Sequence, residues 1–230
     1  MLVEFSGLPL SGRFVLDLGS GTGDGSRAAI AAGARVVAAD LSIDMLRVDQ
    51  SRRPPATTGD ATALPFRDDA FEVVVAPFCL NHLDDPSQGV SEAGRVAPRL
   101  LASTYAADDD HPAKAAVETA LGEVGWERPA WYSRVKVAMA AWGTIADATA
   151  VITRGGLEPV RVERHEIAFT DLGPNDMVAW RMGLAHCAAF VAGLDSERRE
   201  RVIARALDLL GPNPVPIVRR VILIAAARNQ

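Results

Sequence analysis

The sequence predicts an α/β fold, a mostly parallel seven-stranded sheet flanked by helices. Three observations predict it. Short apolar runs rich in β-branched residues alternate with helical stretches over residues 1–105, as parallel strands joined by right-handed crossovers require. The first run, Phe14 to Leu18, breaks into Gly19-Ser20-Gly21-Thr22-Gly23 and leads into a helical segment at 26–32. Two late strand-like runs, 159–169 and 215–227, enclose an inserted pair of helices at 177–191 and 196–210.

The glycine turn is the centre of the first half. Glycine reaches positive φ at little cost and carries no Cβ, so a ligand can lie against bare backbone. The helix that follows offers free N–H groups to negative charge. A dinucleotide fingerprint needs G-x-G-x-x-G/A. Counting from Gly19 its third position falls on Asp24, and from Gly21 on Ser26, so neither register fits. The pattern present is G-x-G-x-G preceded by an acid, Asp17.

The second strand, Arg35 to Asp40, also ends in an acid. An acid there suits both hydroxyls of a ribose, which NAD and S-adenosylmethionine share. Ser42 follows as a natural N-cap for the next helix. A short third strand, Ala56 to Thr58, leads into Gly59-Asp60-Ala61 and then Leu64-Pro65-Phe66. A buried fourth strand at 71–76 runs into Pro77-Phe78-Cys79-Leu80-Asn81-His82-Leu83-Asp84-Asp85-Pro86. A helix at 87–96 and a fifth strand at 98–105 complete this half.

These motifs resemble the class I S-adenosylmethionine-dependent methyltransferases, and within them the ubiquinone/menaquinone-biosynthesis-like (methyltransferase type 11) group. Asp17-Leu18-Gly19-Ser20-Gly21-Thr22-Gly23 is similar to that family's first motif, and Asp40-Leu41-Ser42 with Met45-Leu46 to its second. Gly59-Asp60-Ala61 with Leu64-Pro65-Phe66, and Asn81-His82-Leu83 with Asp85-Pro86, are similar to its later ones. The resemblance covers about the first 105 residues. It implies a Rossmann-like sheet with an antiparallel last strand and S-adenosyl-L-methionine as cofactor, leaving S-adenosyl-L-homocysteine as product. It implies cofactor contacts from Asp17, Gly19, Ser20, Gly21, Thr22, Gly23, Asp40, Leu41, Met45, Gly59, Asp60, Ala61 and Pro77. Leu41 and Met45 would flank the adenine, although Met45 is equally suited to core packing. Asp60 would accept from the adenine amine. The Asn-Pro-Pro-Tyr type motif of amino-methylating enzymes is absent.

The expected domain is single and spans residues 1–230. Its cofactor half is 1–105, and its substrate half is 106–230, with a helical lid or insertion at about 171–211. Residues 1–12 hold little that could fold, whereas family members commonly carry helices there that cover the cofactor. Another segment, the second copy in a homodimer, or nothing at all covers it here. Composition is that of an ordinary globular chain, 49% hydrophobic and 23% charged. A net charge of −5 without a basic cluster excludes a nucleic-acid partner. No signal peptide or 18-residue apolar span is visible, so no membrane partner and a cytoplasmic location are expected. Cys79 and Cys187 form no C-x-x-C pair, so no metal site is expected.

Methyl transfer needs a bound cofactor, an aligned acceptor and excluded water, and a general base only where the acceptor must lose a proton. His82, beyond the fourth strand, is the candidate base; it equally suits a role in shaping the loop or packing beside the cofactor. His82, Trp131, Tyr132 and His186 are the candidate residues for a small-molecule acceptor. Trp126, Trp142 and Trp180 could join them in an aromatic lid or pack in the core, and His111 and His165 read as loop and strand-surface residues. Two other readings compete. One is a protein that binds S-adenosylmethionine or its demethylated product without turnover. The other is a nicotinamide-dependent short-chain reductase, for which Tyr132 and Lys136 supply Tyr-x-x-x-Lys, although the Thr-Gly-x-x-x-Gly-x-Gly turn of that family is missing.

Overall fold

The first two strands end where their apolar runs meet Gly19 and Asp40. In the computed structural model, which describes residues 1–229, the chain runs α1 (Leu2–Phe5), β1 (Phe14–Leu18), α2 (Asp24–Ala31), β2 (Arg35–Asp40), α3 (Ile43–Arg47), β3 (Ala56–Thr58), β4 (Val73–Pro77), α4 (Pro86–Val96) and β5 (Arg99–Tyr105). It continues with α5 (Pro112–Gly122), α6 (Ala130–Ala140), α7 (Ile145–Arg154), β6 (Glu158–Phe169), α8 (Pro174–Met182), α9 (Ala185–Ala192), α10 (Ser196–Leu210) and β7 (Ile217–Ala227). The seven strands form one sheet in the order β3-β2-β1-β4-β5-β7-β6. β1 pairs parallel with β2 and β4, and β5 pairs antiparallel with β7 from Arg99–Ala227 to Tyr105–Val221. This is the mostly parallel sheet with an antiparallel last strand that was expected. An all-parallel dinucleotide sheet has the order 3-2-1-4-5-6; the β7 insertion between β5 and β6 departs from it.

By its internal contacts the chain divides into two compact units. The first comprises Met1–Ala107, Val137–His165 and Val221 to the C-terminus; the second comprises Asp108–Lys136 and Glu166–Arg220. In the first, Leu16, Val74, Leu100, Ile152 and Ile222 are fully buried in one core. β1 and β4 are apolar on both faces because helices cover both, as central parallel strands require. Trp142 is fully buried in this core rather than in a lid, because it follows α6 and packs with Ala148 and Val151 of α7. α7 starts at Thr144, whose Oγ1 accepts from the Asp147 N–H at 3.1 Å, and ends at Gly155-Gly156, where Gly156 has φ +82°.

The second unit is helical. α5, α8, α9 and α10 enclose Val117, Leu121, Trp126, Met182, Cys187, Val202 and Ala206. Val202 and Ala206 lie one turn apart on α10, and Ile203, Leu207 and Leu210 pack partly buried against the same cluster.

Two local expectations are corrected. Residues 1–12 do fold: α1 forms, and Phe5 and Leu10 are buried. The helix expected at 177–191 is two helices, because the backbone at Leu184 turns extended after Gly183 caps α8. No single helix among the described residues is long and apolar enough to cross a membrane.

Candidate active site

Asp40 organises the carboxyl ends of β1, β2 and β3. Its Oδ2 accepts from the Gly21 N–H at 2.7 Å and its Oδ1 from the Ser42 N–H at 2.8 Å. Its carbonyl accepts from the Gly59 N–H at 3.0 Å. Three segments singled out by motif therefore converge on one residue. They do so at the carboxyl ends of β1, β2 and β3, next to the point between β1 and β4 where the strand order reverses and where open α/β sheets bind ligands.

The glycines of the turn differ in what they do. Gly19, Gly21 and Gly23 all have positive φ, at +64°, +50° and +94°. A Cβ on Gly19 would stand 2.3 Å from Cys79 Sγ, so Gly19 admits the loop after β4. A Cβ on Gly21 would meet nothing within 4 Å, so the space beside Gly21 is open. Gly25, which motif reading passed over, lets α2 approach β1: its Cβ would lie 2.6 Å from Asp17 Oδ1 and 3.0 Å from Pro77 Cγ.

Asp17 is fully buried. Its Oδ2 accepts from Ser26 Oγ at 2.6 Å, while its Oδ1 has no partner. Burial pushes its carboxyl up to about 6, against the opposing Ser26 hydrogen bonds and the Arg53 charge. Arg53 is the residue motif reading missed. Its guanidinium donates to the carbonyl of Gly21, to that of Met45 at 2.8 Å, to that of Val48 at 2.9 Å and to Ser20 Oγ at 3.4 Å. It ties the glycine turn to α3, and no sequence motif marks it.

Leu41 and Met45 are exposed at the start of α3 rather than packed in the core. Asp60 is exposed, and its Oδ1 accepts from the Thr62 N–H at 2.8 Å and Oγ1 at 2.7 Å; these bonds hold its carboxyl below the usual range. Thr22 is exposed at the tip of the turn. The Ala61 side chain is buried in the core, so that residue faces away from solvent.

Beyond β4, Phe78 takes φ +54° and stacks on Tyr105 with centroids 4.5 Å apart. Cys79 lies in this loop, where burial pushes its thiol up to about 12. Asn81 is fully buried, and neither side-chain amide atom has a partner. His82 is exposed. Desolvation by the loop lowers its pKa, with the Asp40 charge pulling the other way.

In the second unit, Tyr132 and His186 lie flat on one another, with centroids 3.8 Å apart and planes at 4°. Trp131 meets Tyr132 edge-on at 5.8 Å and is exposed. Trp126 is buried and donates from Nε1 to the His186 carbonyl at 3.2 Å. Trp180 packs with Ala113, Met177 and Ile217. His111 is buried beside Trp180 and not a loop-surface residue. His165 sits on β6 in the first unit, edge-on to Phe5.

Residues 16–99 match the family model described as a methyltransferase domain. That segment is similar to the methyltransferase family over 84 of the chain's 230 residues. It contains the glycine turn, Asp40, Gly59, Asp60 and His82. Over 93 residues the chain is 44% identical to a demethylmenaquinone methyltransferase of Clavibacter sepedonicus. That match covers 38% of each chain, so this chain spans well under half the length of the curated relative. Two solved structures share the fold. A putative methyltransferase from Bacillus halodurans has a TM-score of 0.61 at 23% identity over 100% of this chain and 97% of that one. Phosphoethanolamine N-methyltransferase 2 of Haemonchus contortus, in complex with S-adenosyl-L-methionine, has a TM-score of 0.58 at 17% identity, covering 100% of this chain and 51% of that one. The matched segment runs from β1 to the start of β5, and the similar structures extend the likeness of fold over the full chain.

Proposed function

We propose that the chain binds S-adenosyl-L-methionine at the carboxyl ends of β1 to β4 and transfers its methyl group to a small organic acceptor. The observation that carries this reading is the convergence of Gly21, Ser42 and Gly59 on Asp40. The residues present fit the cofactor. Open space beside Gly21 accommodates a ligand against bare backbone. The orphaned Asp17 Oδ1 is an acceptor waiting for a donor, which the cofactor's amino group provides. Asp40 would take the ribose hydroxyls, and exposed Leu41 and Met45 would cover the adenine.

When bound, the cofactor supplies an electrophilic methyl on a sulfonium. The chain's own work is to bind, orient and exclude water. Alignment alone supplies up to roughly 7–11 kcal/mol. His82 would accept a proton from an acceptor that must lose one, and its lowered pKa keeps it neutral and able to do so at pH 7. The test is release of S-adenosylhomocysteine with a panel of phenolic, amine and carboxylic acceptors. Turnover with any of them supports the reading. Cofactor binding with no turnover across the panel would favour a silent binding protein.

A further inference from the structure

We propose that the second unit carries a binding site for a small organic anion, built on Lys136 and Arg181 with His111 and His186. The unit holds buried donors that its own residues leave unused. Arg181 is 3% exposed, and its guanidinium bonds Glu118 through Nη2, while its buried Nε has no partner. Glu118 is shared, since it also takes Arg128 at 2.6 Å. Lys136 is half-buried one helical turn beyond Tyr132, with Nζ 5.9 Å from that ring. It has no ion-paired carboxylate among the described residues. His186 Nε2 and His111 Nδ1 are buried and unpartnered as well.

Tyr132 joins two of these groups, its ring lying 5.9 Å from Lys136 Nζ and 3.8 Å from the His186 ring. Lys136 interacts with Lys114, Asp109, Arg181 and Arg219. His186 interacts with Arg181, Glu118, Lys136 and Arg128. His111 interacts with Arg181, Arg219, Asp109 and Asp110. Three carboxylates in the cluster are already engaged: Asp109 takes Arg219 at 2.8 Å, Asp110 takes Lys114 at 3.0 Å, and Glu118 takes both Arg128 and Arg181. The cations Lys114, Lys136, Arg128, Arg181 and Arg219 outnumber them. Burial, followed by the Arg181 charge, pushes both histidines down to about 4, so they are neutral at pH 7.

The chemistry of the unused atoms names the ligand. Arginine Nε–H and the lysine ammonium have no lone pair and can only donate. A neutral imidazole nitrogen can donate in the appropriate tautomer. The complementary group is therefore an acceptor of negative charge, a carboxylate or a phosphate ester, and a cationic ligand would be repelled. The site lies within the second unit and does not depend on the methyltransferase reading.

The test is calorimetric titration of the full chain with benzoate, phenyl phosphate, benzamide and S-adenosylhomocysteine. Benzoate or phenyl phosphate should bind, and the tighter of the two identifies the anionic group. Benzamide, which lacks the charge, should bind roughly tenfold or more weakly. Lys136→Met keeps the length and helix preference of the side chain and should weaken the anion roughly tenfold or more, while Lys136→Arg restores most of the affinity. S-adenosylhomocysteine affinity should be the same in all three proteins. Failure of both anions to bind, equal binding of benzamide, or an unchanged Lys136→Met variant would overturn the site. S-adenosylhomocysteine binding without anion binding would overturn this inference alone. Lys136-dependent anion binding without S-adenosylhomocysteine binding would overturn the methyltransferase reading and leave the site standing.

Discussion

The Asp40 carboxylate accepts the Gly21 N–H at 2.7 Å, so the acid that ends β2 grips the turn that ends β1. One carboxylate thus shapes the loop and, on the proposed reading, holds the ribose. Asp40→Ala should weaken S-adenosylhomocysteine binding. Charge-assisted hydrogen bonds are each worth about 1.5–3 kcal/mol, or roughly ten- to 150-fold in affinity. Asp40→Glu, which keeps the charge, should lose less. Calorimetry on the two variants checks this, and unchanged affinity in Asp40→Ala would remove the ribose assignment.

Gly21 and Gly19 should fail in different ways. Both sit at positive φ, where a Cβ costs about 1–2 kcal/mol. Gly21→Val puts a side chain into open space, so the variant should fold with a modest loss of stability and lose cofactor binding. Gly19→Ala meets Cys79 Sγ and should lower the unfolding midpoint further. Urea unfolding and ligand titration on both proteins separate the two effects. Normal binding by Gly21→Val would refute its place in the cofactor path.

Asp17 makes the ligand-free protein pH-sensitive. Its carboxyl titrates at about 6 when folded, against an ordinary value of 3.8, because it is buried. The folded chain therefore holds this proton more tightly than the unfolded chain. The contribution is most favourable below pH 3.8 and is lost as pH rises to about 6, by about 3 kcal/mol in all. Asp17→Asn should remove that slope while weakening cofactor binding through the lost negative charge. Unfolding free energies of both proteins at pH 4 and pH 7 decide it; parallel slopes would contradict the account.

Arg53→Ala should loosen the glycine turn. It removes donors to the carbonyls of Gly21, Met45 and Val48. Amide exchange at Ser20 to Gly23 should quicken, and cofactor affinity should fall by about tenfold, as expected for one lost hydrogen bond to a charged group. Unchanged exchange in the turn would show that Arg53 is not its anchor.

His82→Ala should lower turnover roughly a hundredfold, the lower range for general base catalysis, and abolish the acidic limb of the pH profile. A proton-accepting His82 acts only when neutral, so the limb should lie below the ordinary histidine value. Wild-type turnover at every pH in the variant would leave His82 a loop residue.

The cofactor end of the molecule was legible because its signals are local. Glycines at positive φ, an acid at a strand end and a β-branched run each carry their own physics, and they lie within residues 14–82. Arg53 was not legible, since an arginine before Pro54-Pro55 has no spacing that announces its four acceptors. The second unit was hidden for another reason. It joins long-range pairs such as Arg181 with Glu118, 63 residues apart, and Arg219 with Asp109, 110 apart. No short window holds both partners. Trp142 suits a lid or the core equally in sequence, and its burial with the first unit's core residues decides for the core.

The most direct measurement is calorimetric titration of the purified chain with S-adenosylmethionine, S-adenosylhomocysteine and NADH in parallel. The account predicts binding of the first two, lost in Gly21→Val and weakened in Asp40→Ala, with no binding of NADH. Binding of NADH alone would contradict it and return Tyr132 and Lys136 as the residues to explain.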